Sequence, residues 1–352
     1  MKKALIKILC FLPLVVLMLG PVIWVDPLHL FARKHGMNSV PFFDQRLIKT
    51  DILRYDHPDY NSILIGSSRV RNMGDISIGD YRFYNYGLGG LMQVSYPGFI
   101  KLAHDLAPDS IKCILVGLDM FGASKYYVNT TQWGSTEYYL QKSQSIPYLL
   151  RLMITPNSLK YSYKHIYDHF SGSTPNKRHR FRLSGIYYNE MFSCWEFDPE
   201  LVPLLKQLQQ DYQDTRLIFF ITPVSVKHLA IMQDNNKVEA FLQWLRILAN
   251  TVDDYYNFMD ITPLTTHEGN WVDGNHADPR LLLELLSSIV LQDEENPNYT
   301  HITRQNVENV IKDTRARING YDLEQWSTDS TTTHNVLSAA QASKKSLAKS
   351  NK

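Results

Sequence analysis

The chain has 352 residues, 44% of them hydrophobic and 20% charged, with a formal net charge of +1. That composition excludes a collagen-like or wholly disordered chain, and so small a charge offers no global field for nucleic acid. There are three cysteines and no C-x-x-C, which argues against a disulfide framework and a structural zinc site and leaves room for one bond, Cys113 to Cys194.

From Ile8 to Val25 the chain (ILCFLPLVVLMLGPVIWV) carries no charge. About 18 apolar residues is the lower limit for a spanning helix. Lys2, Lys3 and Lys7 precede it, which favours a cytoplasmic N-terminus, and Trp24 suits the outer interface. No A-x-A-like cleavage site follows, and Cys10 lies inside the stretch rather than after it. Residues 1–28 therefore read as an uncleaved transmembrane signal anchor in a bacterial inner membrane, with the rest of the chain extracytoplasmic. Residues 29–59 read as a juxtamembrane segment.

Strands and helices then alternate. Strands are expected at Asn61–Ile65, Arg82–Tyr86, Ile111–Leu118, Arg216–Thr222 and Tyr256–Met259. Helices are expected at Met92–Leu106, Leu201–Tyr212, Val238–Ala249 and Pro279–Leu291, the last with proline in its first turn. Short apolar strands separated by helices imply a mostly parallel sheet covered on both faces, a three-layer α/β sandwich over residues 60–295. Ligands in such folds bind at the carboxyl ends of the strands. Residues 122–198, rich in Tyr, Ser, His and Asn, break the rhythm and read as an insertion or cap. Residues 296–352 are polar, so the expectation there is a disordered tail.

Two strand ends carry groups that can do chemistry. The run Ser62-Ile63-Leu64-Ile65 stops at Gly66-Ser67-Ser68, followed by Arg69 and Arg71. Glycine and serine suit any turn, but a hydroxyl that opens a helix at a strand end also meets free backbone N–H groups and positive potential. The second is Asp273-Gly274-Asn275-His276, where a carboxylate three residues away can orient an imidazole that accepts the serine proton. Asp278 reads as the cap of the helix beginning at Pro279. A metal site using His276, Asp273 and Asp278, with His267 and Glu268, lacks any recognisable ligand spacing. Three glycines in Gly87-Leu88-Gly89-Gly90 would let backbone approach a ligand.

In this order, at strand ends, the motifs resemble the SGNH (GDSL-like) hydrolase superfamily, and its flavodoxin-like sandwich is the fold that the resemblance implies. Gly66-Ser67-Ser68 looks like the Gly-Asp-Ser block, with Ser67 where aspartate is usual. That variant is familiar in the membrane-anchored branch that includes DltD and other cell-envelope acyl-transfer proteins. The resemblance makes Ser68 the nucleophile, His276 the base and Asp273 its orienting carboxylate. It also builds an oxyanion hole from Ser68, Gly90 (counted from Asn85) and the Gly-x-Asn block. Here that block reads Gly117-Leu118-Asp119, and an ionised aspartate donates no hydrogen bond. Arg69 and Asn85 are candidates for substrate binding. The implied activity is a serine esterase or O-acyltransferase acting on O-acyl, notably acetyl, groups of envelope glycans, with no cofactor. The implied partners are an acyl donor and a membrane-bound O-acyltransferase. The alternative is an inactive glycan-binding or assembly protein on the same fold.

Overall fold

The computed structural model describes residues 13, 15–17, 19–31, 44–107, 109–125, 135–172, 191–293 and 296–326. The chain divides into two units, one formed by residues 1–60, 98–110 and 133–178, the other by residues 61–97, 111–132 and 179–352. In chain order the principal elements are α1 (Gln45–Asp51), β1 (Ser62–Gly66), α2 (Ser68–Arg71), β2 (Ile76–Ile78), β3 (Tyr81–Gly87), α3 (Tyr96–Asp105), β4 (Cys113–Leu118), α4 (Thr136–Gln144), α5 (Ile146–Met153), α6 (Pro156–Ser171), α7 (Leu201–Asp211), β5 (Arg216–Ile221), α8 (Val226–Asp234), α9 (Val238–Ala249), β6 (Asp254–Asn257), α10 (Pro279–Leu291), β7 (Thr300–Thr303) and α11 (Val307–Gly320).

The second unit is mixed α/β. Its seven-stranded sheet has the order β2-β3-β1-β4-β5-β6-β7. The neighbours from β3 through β6 run parallel, and the edge strands β2 and β7 pair antiparallel. Every residue of β1 and β4 is buried, as a central strand between two helical layers requires. Register pairs Leu64 with Leu115 and Leu115 with Ile218, and these side chains share one face with Phe220 and Phe258. They pack on Leu282, Leu285, Leu286 and Ile289 of α10. On the opposite face the Tyr255 hydroxyl donates to the Leu245 carbonyl of α9 at 2.7 Å. The parallel register aligns the carboxyl ends of the central strands: Gly66 lies beside Gly87, and Leu118 beside Ile221.

Two expectations change. The folded chain does not stop at residue 295: β7 pairs with β6, and α11 buries Val307, Ile311, Thr314 and Ile318. That spacing is helical, though it sits in a polar stretch. Residues 327–352 of the expected tail lie outside the described residues. Cys113 and Cys194 are free thiols, one buried in β4 and the other exposed, and burial pushes the Cys113 thiol up to about 12. Among the described residues no helix is long and apolar enough to cross a membrane. The expected anchor falls partly on residues 1–12, 14 and 18, outside the described residues, while residues 19–25 are helical.

The first unit is helical. Leu47 and Ile48 of α1, Tyr139 of α4, and Leu149 and Met153 of α5 form its core with Val22 and Leu28. Much of the expected irregular insertion is thus three ordered helices, α4 to α6. Ser135 caps α4, and Thr155 caps α6 ahead of Pro156. The expected juxtamembrane segment supplies α1, whose buried Asp51 accepts a hydrogen bond from the Ser143 hydroxyl at 2.5 Å.

Candidate active site

The site lies in the second unit, where β1 gives way to α2. A Cβ at Gly66 would come within 2.8 Å of the Val70 side chain, so only glycine lets the strand turn directly into the helix. The two serines then separate in role. Ser67 is buried and caps α2, its hydroxyl accepting from the Arg69 N–H at 3.3 Å. Ser68 begins the helix, and its Oγ lies 2.9 Å from His276 Nε2.

His276 comes from a loop pinned at several points. Trp271 is buried in the core. The Val272 N–H donates to the His276 carbonyl, and the Asp278 N–H to the Asn270 carbonyl, both at 2.8 Å. The buried Ser225 hydroxyl donates to the Gly274 carbonyl. Asp278 caps α10 through the Arg280 N–H at 2.9 Å. Within the loop, Asp273 Oδ1 accepts from the N–H groups of Asn275 and His276, each at 2.8 Å. The carboxylate faces His276 Nδ1 at 2.9 Å through Oδ2. Partial burial pushes the Asp273 carboxyl up, but the His276 ring and the two backbone N–H groups outweigh it and hold it below its ordinary value. Such a carboxylate accepts from Nδ1–H and leaves Nε2 to accept the Ser68 proton.

Arg69 and Asp119 have other work than the sequence suggested. Arg69 is buried, and its guanidinium donates to the carboxylate of Asp119, at the carboxyl end of β4. Its Nε and Nη2 donate to Asn275 Oδ1 at 3.0 and 2.8 Å, and Nη1 reaches Thr222 Oγ1 at 3.3 Å. The Thr222 hydroxyl also donates to Asp119. Asp119 is therefore a buried counter-ion, not a donor to an oxyanion, and Arg69 is spent on protein groups rather than on substrate. Asn275, next to His276, links the two parts. His228 lies in the same cluster, where burial and the charge of Arg69 hold its imidazole well below the ordinary value despite a hydrogen bond with Asn275.

Asn85 is not placed to bind substrate either. It is buried; its amide donates to the carbonyls of Val70 and Gly74 at 2.8 and 2.9 Å and accepts from the Gly87 N–H at 2.8 Å. It ties β3 to α2. Gly87 serves the same contact: a Cβ there would come 2.8 Å from the Arg71 backbone nitrogen. Gly90 differs, with φ of +59°, a left-handed conformation that favours glycine. Among the described residues neither the Ser68 nor the Gly90 N–H donates to a backbone carbonyl outside the helices and strands. Sequence reasoning missed Asn275 and Thr222. Their positions beside His276 and at the end of β5 were the available signals. Among the described residues no group of three His, Cys, Asp or Glu side chains is arranged to hold a metal ion.

No family model matches the chain, and no curated protein does. A solved structure described as "a putative platelet activating factor from Streptococcus pneumonia" aligns over 71% of this chain and 90% of its own, at 13% identity and a TM-score of 0.37. A likeness of that degree assigns neither fold family nor activity.

Proposed function

We propose that the protein is a serine esterase or O-acyltransferase that works through an acyl-enzyme on Ser68. The observation that carries this reading is the relay of Ser68 Oγ, His276 and Asp273, joined at 2.9 Å on each side of the imidazole. Ser68 attacks the acyl carbonyl and His276 Nε2 takes its proton. Asp273 holds the imidazole in the required tautomer and stabilises the imidazolium that forms. The negative charge on the tetrahedral oxygen meets the N–H groups of Ser68 and Gly90, the first assisted by its place at a helix start. His276 then returns the proton to the departing oxygen or sulfur. In the second half, it deprotonates the acceptor hydroxyl or water that releases the acyl group.

The choice of acceptor rests on the sequence resemblance and on the uncharged stretch of residues 8–25. These favour O-acyl, notably acetyl, groups of envelope glycans, with the protein held at the outer face of an inner membrane and a membrane-bound O-acyltransferase supplying the acyl group. The inactive alternative rests on Asp119 in place of asparagine and on the irregular segment 122–198; the pairing of Asp119 with Arg69 accounts for the first without loss of the relay. The test pairs a fluorophosphonate probe with turnover of a simple acetyl ester. The wild type labels and turns over, and Ser68→Ala does neither. A wild type that neither labels nor hydrolyses, or an unchanged Ser68→Ala, overturns the reading.

A further inference from the structure

We propose that the exposed aromatic ridge of α6 in the first unit, formed by Tyr163, Tyr167 and Phe170, rests on a lipid bilayer. The inference stands apart from the chemistry of Ser68. One side of α6 is bedded in its own unit: Ser158 and Ser162 are buried, and Leu159 packs on the core with Val22, Leu149 and Met153. Further along the helix, on the line that Leu159 begins, three rings follow at positions i, i+4 and i+7, which fall on one helix face. They are 44%, 70% and 75% exposed. A single exposed apolar side chain needs no explanation. A row of rings at helical spacing marks a surface built to be covered.

Two observations select lipid as the cover. The first is continuity. The Tyr163 hydroxyl donates to the Leu17 carbonyl at 2.5 Å. Leu17 lies in the uncharged stretch of residues 8–25, and it is exposed together with Val15 and Val16. The ridge therefore extends an apolar surface whose sequence is already suited to hydrocarbon. The second is charge. Lys160 and Lys164 flank the rings, and the nearby acid, Asp168, is compensated by its ion pair with Lys164. Tyrosine rings bordered by long basic side chains match the boundary between headgroups and acyl chains of an anionic leaflet. The segment that looked irregular in sequence thus gains a purpose, fixing how the first unit is seated on the membrane.

The test reads the ridge locally, so the N-terminal stretch cannot answer for it. In the full chain, with Cys10→Ser and Cys194→Ser and with Cys113 left buried, an environment-sensitive fluorophore is placed at Phe170→Cys. The protein is reconstituted in phosphatidylethanolamine–phosphatidylglycerol vesicles. The expected result is a blue-shifted emission that lipids brominated in the acyl chain quench and aqueous iodide does not. Asn157→Cys, exposed but off the ridge, remains open to iodide. Tyr167→Cys repeats the measurement at a second ring. Iodide quenching at 170 and 167 equal to that at 157 overturns the proposal, because the ridge then faces water. Protection from both quenchers also overturns it, because protein then covers the ridge.

Discussion

Asp119→Asn sets two readings of the site against each other with opposite signs. It restores the Gly-x-Asn block of the superfamily that the sequence resembles. If an oxyanion donor were what this site lacks, the new amide would raise turnover, since one such donor is typically worth about 10²–10³ in rate. The structure argues for a loss. Arg69 and Asp119 are 6% and 1% exposed, and removing one partner of a buried ion pair costs about 3–5 kcal/mol because the other charge is left uncompensated. The asparagine oxygen can still accept from Arg69 and Thr222, so the lower end, about 3 kcal/mol, is expected. For a domain of this size that is a fall in Tm of roughly 6–12 °C. Arg69 also holds Asn275 beside His276, so turnover of an acetyl ester falls with stability. Thermal unfolding and kcat/KM on the same preparation decide the matter. Faster turnover at an unchanged Tm refutes the assignment of Asp119 as the counter-ion of Arg69.

Ser68→Ala lowers ester turnover by on the order of 10⁴-fold or more, while its unfolding midpoint in urea stays near that of the wild type. Asp273→Ala loses about 10⁴-fold in kcat; a loss of less than tenfold would show that the carboxylate does not orient His276. Gly87→Ala drives a Cβ against the Arg71 backbone and destabilises by about 1–3 kcal/mol in urea titration, and an unaltered midpoint would rule out a tight junction between β3 and α2. Asp51 gives a pH signature. Burial pushes its carboxyl up to about 8 from an ordinary value of 3.8, so between those values the native state holds a proton that the unfolded chain has released. Stability therefore falls as pH rises through that window, by on the order of 4 kcal/mol from pH 4 to 7. Asp51→Asn flattens the curve of Tm against pH, and parallel curves for the two proteins would refute the assignment.

What could be read from the sequence was local. The bounds of α9 and α10 follow from leucine spacing and, for α10, from Pro279 behind its Asp278 cap, because helix periodicity and capping are written within a few residues. The run Ile63-Leu64-Ile65 marks a buried strand, and Gly66 marks its end, for the same reason. Elements with weaker local codes escaped: β2 and β7 are short edge strands, α11 lies in a polar stretch, and α4 to α6 are short helices punctuated by serine and proline. The side chains that position the site were misassigned or overlooked. Arg69 and Asn275 are 206 residues apart in the chain, and nothing in either neighbourhood announces the other. Read locally, an arginine after a serine, or an asparagine near the end of a strand, looks like a substrate contact. Only when the strand ends are brought side by side is it clear that Asp119, Thr222 and Asn275 engage every nitrogen of the Arg69 guanidinium, and that Val70, Gly74 and Gly87 take up the amide of Asn85. The sequence by itself determined which groups are present at the strand ends and which serine and histidine could react. The tertiary structure decided which of the others face a substrate and which face each other, because a polar group's role depends on the partner that burial forces upon it.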